Sequence, residues 1–345
     1  MHTLTLTPPA RSNPGTDITI GAGALQQCAL HAKSHSRIVV LYDEGIESIA
    51  TRVMHAIGDC VRIPVQSGDA SKSLKEADRI VSVMLEQGCT RKTLLICVGG
   101  GMITDLGGFV ASVFMRGIQC VHVPTTLLGM VDAAIGGKTA VNVGSKKNMI
   151  GTITHPRAVM IDTELLQTLP DSQLAEGLAE VIKVAAIIDD PFFQWLEEVM
   201  PQILKRHPAI LEECVIRAVS AKVKIVEADE HDRDERLLLN FGHTVGHAVE
   251  ALSGYKLSHG NCVSIGVVAE MTLTDFKDRA RVEKILTLVG LPLAIPPAMK
   301  PEDLWTVMLS DKKNEGGVVR IAVPKRMGEG AVHTLTHETF LILFR

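Results

Sequence analysis

Aromatic side chains are the scarcest resource of this chain: Phe, Trp and Tyr together make 3% of its 345 residues. A core of ordinary size must therefore rest on Val, Ile, Leu, Ala and Met, which the 46% hydrophobic content readily supplies. The chain also lacks a strong charge of one sign, with a net charge of -4. Without a basic footprint or stacking aromatics, generic nucleic-acid binding is excluded. No C-x-x-C pair occurs, and the seven cysteines are odd in number and scattered, so neither a disulfide framework nor a zinc knuckle is expected. A reduced, cytoplasmic setting is the plain expectation. The opening MHTLTLTPPARSNPG has no basic stretch followed by an apolar one, so no secretory signal is expected. The longest apolar run, residues 93–114, is broken by three glycines and by Asp105, which a membrane span would not tolerate.

What the chain does have is alternation. Residues 37–42 (RIVVLY), 61–65, 93–98 (TLLICV) and 119–123 read as strands, while 74–87 and 103–114 have helical periodicity. Strands alternating with helices predict crossover connections and a parallel, doubly wound α/β sheet. Beyond about residue 165 the texture turns helical, over 171–187 (opened by Asp171 or Ser172 as N-cap), 208–229, 242–252, 259–277 and 281–289. Residues 318–323 and 331–335 predict a short hairpin. The expected architecture is an α/β nucleotide-binding domain over 1–164 and a mostly α-helical domain over 165–345, with a cleft between them.

Gly99-Gly100-Gly101 falls between a strand and a helix, where glycine lets the backbone approach a phosphate at a helix N-terminus. The spacing is not G-x-G-x-x-G, and tight strand-to-helix packing explains the same residues equally well. Asp43 ends a strand, as ribose-binding acids do; a cap residue is the alternative. Glu180 and Lys183 share one helix face with Glu176, and a solvated i, i+3 salt bridge is the simpler reading of the pair. His243 and His247, one helical turn apart, have chelating spacing, so spacing nominates both as ligands, against two core histidines held by carbonyls. His259 opens an apolar helix. Zinc takes imidazole and carboxylate donors, and the surrounding cations (Arg116, Lys138, Lys146, Lys147, Lys183, Arg236) call for an anionic substrate.

Seven ordered blocks carry a resemblance: GGGMITDLGGFVASVFMRG, VPTTLLGMVDAAIGGKTAVN, KKNMIGTITHP, LAEGLAEVIK, LLLNFGHTVGHAVE, SHGNCVSIG and SDKK. Together, over residues 43–313, they resemble the 3-dehydroquinate synthase family of sugar phosphate cyclases. The resemblance implies that two-domain fold and a phosphate-eliminating lyase of the shikimate pathway of aromatic amino acid biosynthesis. It would convert 3-deoxy-D-arabino-heptulosonate 7-phosphate, a small anionic sugar-acid phosphate, to 3-dehydroquinate and phosphate. NAD would act catalytically, with zinc or cobalt as the metal, in a cytoplasmic homodimer. Metal ligands fall on Glu180, His243 and His259, which moves His247 to the substrate. NAD contacts fall on Asp43, Asp69, Lys72, Gly100, Gly101, Asp105, Thr125, Thr126, Lys138, Lys147 and Thr168. Substrate groups match Asp132, Lys138, Lys147, Asn148, Lys183, Arg236 and Asn240. Around the phosphate stand Arg116 and His247, with Lys312 or Lys313.

The chain departs from the family at Asp69, in G-D-A-S-K where G-E-x-x-K is usual, and at Asp232, where Glu is usual. VDAAIGGKTAVN also replaces VDSSVGGKTGVN. Rival readings are a metal-dependent NAD polyol dehydrogenase, a cyclase of another sugar phosphate, and a non-catalytic binding protein. A neutral polyol needs no such density of Lys and Arg, and a binding protein would lack some of these ligands or lysines. No partner role for nucleic acid or membrane is expected.

Overall fold

The computed structural model describes residues 15–144, 146–229, 235–310 and 318–344. Ten strands are described: β1 Asp17–Ile20, β2 Arg37–Asp43, β3 Val61–Val65, β4 Thr93–Gly99, β5 Gln119–Pro124, β6 Lys138–Val143, β7 Lys146–Ile153, β8 Ala158–Ile161, β9 Val319–Arg326 and β10 Glu329–Leu335. Among them run α1 Cys28–Ala32, α2 Glu47–Ile57, α3 Leu74–Glu86, α4 Gly101–Val113, α5 Asp171–Ile188, α6 Asp190–Leu204, α7 Pro208–Ala228, α8 His243–Leu252, α9 His259–Leu273, α10 Arg279–Val289, α11 Pro301–Leu309 and α12 His337–Phe340.

Six strands form one sheet in the order β1-β8-β5-β4-β2-β3, and every pairing in it is parallel. The expected doubly wound sheet is therefore present. Alternate residues of the central strands feed opposite faces: Val39, Leu41, Leu95 and Cys97 meet α3 and α4, while Val40, Tyr42, Leu94 and Ile96 meet α1 and α2. The second face continues without a break into the core of the helical half, through Leu178, Phe193 and Val245. From β2 the chain turns one way to β3, and from β4 the other way to β5. The reversal lies between β2 and β4, and ligand crevices of doubly wound sheets open at such a point, beyond the carboxyl ends of the strands.

The hairpin near the C-terminus is β9–β10, antiparallel as expected. Several bounds differ from expectation. Helix α9 stops at Leu273, because Asp275 takes a left-handed φ of 49°. Helix α5 is capped by neither Asp171 nor Ser172: Pro170 is the N-cap, and the Asp171 carboxylate binds Arg206 at 2.6 Å instead. The edge strand β1 and its neighbour β8, the amphipathic α2 and the β6–β7 hairpin are not among the expected elements. Lys312, Lys313 and Asp232 lie outside the described residues. Among the described residues no helix is long and apolar enough to cross a membrane.

Candidate active site

Three helices carry the candidate metal ligands, and glycine lets them close in. A Cβ on Gly246 of α8 would stand 2.7 Å from the carbonyl oxygen of Cys262 in α9. One on Gly260 of α9 would strike the backbone of Glu176 in α5. With no side chain at either point the backbones of α5, α8 and α9 touch, and their polar side chains converge. Glu180, His243 and His259 each offer a donor atom, and these atoms all lie within 4.8 Å of one another. Nε2 of His243 is 3.5 Å and Nε2 of His259 is 3.3 Å from Glu180 Oε1.

The pair expected on the surface is buried. Glu180 and Lys183 are each 1% exposed and 2.5 Å apart, and the Lys183 ammonium also donates to the Leu239 carbonyl at 2.8 Å. Burial would raise the Glu180 pKa, but Lys183 and His259 reverse this and hold its carboxyl well below the usual range. Neither Glu180 oxygen has a hydrogen-bond partner of regular geometry, so a buried anionic oxygen faces two imidazole nitrogens. That donor set fits a divalent cation with an open coordination position.

Each histidine is oriented from behind. Nδ1 of His243 lies 3.1 Å from the Phe241 carbonyl, and an N–H donated there leaves the Nε2 lone pair facing the cation site beside Glu180. Nδ1 of His259 lies 3.4 Å from Glu250 Oε2. Burial opposes charge on His259, yet Glu180 and Glu250 together raise its pKa to about 10. His247 falls outside the Glu180 triad and groups with Glu250 and His259. The rings of His243 and His247 are 5.0 Å apart and meet edge to face, so the one-turn spacing on α8 brings the two together without placing both around Glu180.

The nucleotide candidates gather at the carboxyl edge of the sheet. Asp43 ends β2 and does cap: its Oδ1 accepts from Gly45 N–H at 2.9 Å and from the Ser67 hydroxyl. Gly100 is the N-cap of α4 and no side chain caps that helix. A Cβ on Gly100 would lie 3.2 Å from the Thr126 methyl, and one on Gly101 3.1 Å from Ala133. Glycine thus serves both packing and an open helix N-terminus, a cradle that fits the pyrophosphate of a dinucleotide. Thr125 N–H donates to the Gly99 carbonyl, and Thr168 follows β8 at the same edge. Lys72 donates to Asp105 on α4 and to Asn148 on β7, both at 2.5 Å. Burial raises the Asp105 pKa, and Lys72 opposes it.

The β6–β7 hairpin folds over this turn. Asn148 takes a left-handed φ of 55°, and its N–H donates to Asn142, whose amide reaches Asp69. Lys147 binds Asp69 at 2.9 Å and Glu250 at 2.8 Å. Lys138 opens β6 in an exposed position, directly after the Gly136-Gly137 turn. Arg236, 2% exposed, donates to the Gly136 carbonyl at 2.8 Å. Asn240 ends the 3-10 turn Glu235–Asn240 just before α8.

Two contributors were not among the candidates. Lys222 of α7 binds Asp132 Oδ1 at 2.5 Å, and Asp132 sits on a π-helical turn, Gly129–Ala133. Burial would raise the Asp132 pKa, but Lys222 more than reverses that and lowers it. The sequence signal was a lysine among Val219, Ile225 and Val226 on the buried face of α7. Glu250 is the other, at i+3 from His247 on α8.

Arg116 stands apart. It follows α4, and the neighbouring Met115 carbonyl accepts from Arg91, just before β4 begins. Arg116 is thus at the amino edge of the sheet, the length of α4 (~20 Å) from the glycine turn.

The models of the 3-dehydroquinate synthase N-terminal and C-terminal regions match residues 62–176 and 177–314. A 3-dehydroquinate synthase of Xanthomonas oryzae pv. oryzae (strain PXO99A) is 38% identical over 339 residues, 91% of each chain. One of Symbiobacterium thermophilum is 36% identical, covering 91% of this chain and 92% of its own. Among solved structures, ValA, a 2-epi-5-epi-valiolone synthase from Streptomyces hygroscopicus subsp. jinggangensis 5008 with NAD+ and Zn2+ bound, has a TM-score of 0.89 at 24% identity. It covers 100% of this chain and 98% of its own. A 2-deoxy-scyllo-inosose synthase complexed with carbaglucose-6-phosphate, NAD+ and Co2+ has a TM-score of 0.86 at 23% identity, over 95% and 96%. These two structural likenesses establish the fold, and the sequence matches establish more: the chain belongs to the 3-dehydroquinate synthase family.

Proposed function

We propose that this chain converts 3-deoxy-D-arabino-heptulosonate 7-phosphate to 3-dehydroquinate and phosphate, using NAD catalytically with zinc or cobalt. One observation carries the reading: the three-donor cation site and the nucleotide turn share a charged contact, since Lys147 bridges Glu250 and Asp69. When bound, NAD supplies reversible hydride exchange and the cation supplies Lewis acidity.

The chain's own residues do the rest. Lys183 holds Glu180 in its ionised form under the cation site. Lys222 keeps Asp132 ionised beside it. We assign Lys183 and Arg236 to the substrate carboxylate and Asn148 and Asn240 to its hydroxyls. Lys138, Lys147 and His247 handle protons and charge near the departing phosphate. Asp43, Thr125, Thr126 and Thr168 ring the crevice assigned to NAD. We place the division between the two domains at 164/165, just past the last sheet strand, which ends at Ile161.

Arg116 is too remote to serve the site of its own chain. We assign it to the phosphate of a neighbouring copy, in a homodimer of twice 37.2 kDa; a sedimentation mass of one chain would contradict this. The seven free cysteines suit a reducing cytoplasm.

A phosphate-release assay over a panel of sugar phosphates tests the reaction. The heptulosonate phosphate should be turned over in preference to sugar phosphates without a carboxylate. Preference for one of those would make the chain a cyclase of another substrate.

A further inference from the structure

Glu250 is buried on α8, and both of its oxygens are engaged. Oε1 accepts from Lys147 Nζ at 2.8 Å, and Oε2 stands 3.4 Å from His259 Nδ1. The His259 ring is therefore held between two carboxylates, Glu180 at Nε2 and Glu250 at Nδ1. Lys147 passes the contact on to Asp69 at 2.9 Å, with its ammonium 4.7 Å above the Tyr255 ring. Asp69 belongs to the turn whose Lys72 pairs with Asp105 in the first turns of α4. An unbroken run of charged contacts joins the candidate cation ligand to the candidate nucleotide turn.

We propose that Glu250 is a positioning residue: it orients His259 toward the cation, and through Lys147 and Asp69 it couples cation binding to nucleotide binding. The proposal rests on the assignment of the two sites given above. The physical reason is that one carboxylate serves two donors. A cation at His259 Nε2 fixes the ring, which fixes the Glu250 oxygens, and these fix Lys147 and then Asp69. A nucleotide that orders Asp69 orders the same side chains from the other end. Whichever ligand binds second meets groups already placed, so each tightens the other by the same factor.

Glu250→Gln tests this, because an amide offers one acceptor oxygen where two donors need one each. Zinc affinity, measured by chelator competition without nucleotide, should weaken by about 10–100-fold. In the parent protein, saturating zinc should tighten NAD binding, read by calorimetry, by about 5-fold or more. In Glu250→Gln that factor should fall to about one. Lys147→Met keeps the contact between Glu250 and His259, so it should retain parental zinc affinity and lose the coupling, whatever it costs in NAD affinity and turnover. It decides the matter should the glutamine variant not fold. Parental zinc affinity in Glu250→Gln, or parental coupling in Lys147→Met, overturns the proposal. A parent that binds zinc and NAD independently overturns the coupling and leaves the proposed reaction standing. A parent that binds neither ends both.

Discussion

His259→Ala should reduce phosphate release by about a thousandfold or more and strip the protein of tightly bound zinc. Removing Lewis-acid stabilisation forfeits several kcal/mol of the barrier, at 1.36 kcal/mol for each tenfold in rate. The fold should survive, because His259 is at the start of α9 and its side chain is 29% exposed. The check is metal content after dialysis together with turnover at saturating NAD. Full zinc occupancy and full turnover in this variant would remove His259 from the ligand set.

Glu180→Ala should act on stability as well. Glu180 and Lys183 form an ion pair in which each partner is 1% exposed. Deleting the carboxylate leaves the Lys183 ammonium buried with only the Leu239 carbonyl. Breaking a pair of this kind costs about 3–5 kcal/mol, against under about 1 kcal/mol for a solvated pair. Urea unfolding of the metal-free protein separates the two magnitudes. A loss at the lower figure would mean that Lys183 reaches water once its partner is gone.

The contrast between these two residues shows what the sequence could reveal. The strands RIVVLY and TLLICV are apolar after their first residue because both sheet faces are covered, and their bounds were readable to within a residue. The burial of Glu180 and Lys183 was not, since i, i+3 spacing is the same on a wet face and a dry one. The β6–β7 hairpin stayed hidden for a related reason. Lys147, Asn148 and Asn142 occupy it to meet the nucleotide turn, and they erase the alternation that marks a strand. Lys222 and Glu250 were legible only as charges on apolar helix faces. Arg116 illustrates the converse. Its motif runs straight on from the glycine turn, yet a helix of 13 residues carries it to the far edge of the sheet.

A redox-neutral cycle is the centre of the account, and one assay reaches it directly. Phosphate release from 3-deoxy-D-arabino-heptulosonate 7-phosphate is followed together with the absorbance of reduced nicotinamide, in zinc-loaded protein with limiting NAD. Many turnovers of phosphate per NAD, with flat nicotinamide absorbance at steady state, are the expected result. Reduced nicotinamide accumulating in proportion to product would contradict it, and the chain would then be a dehydrogenase built on this fold.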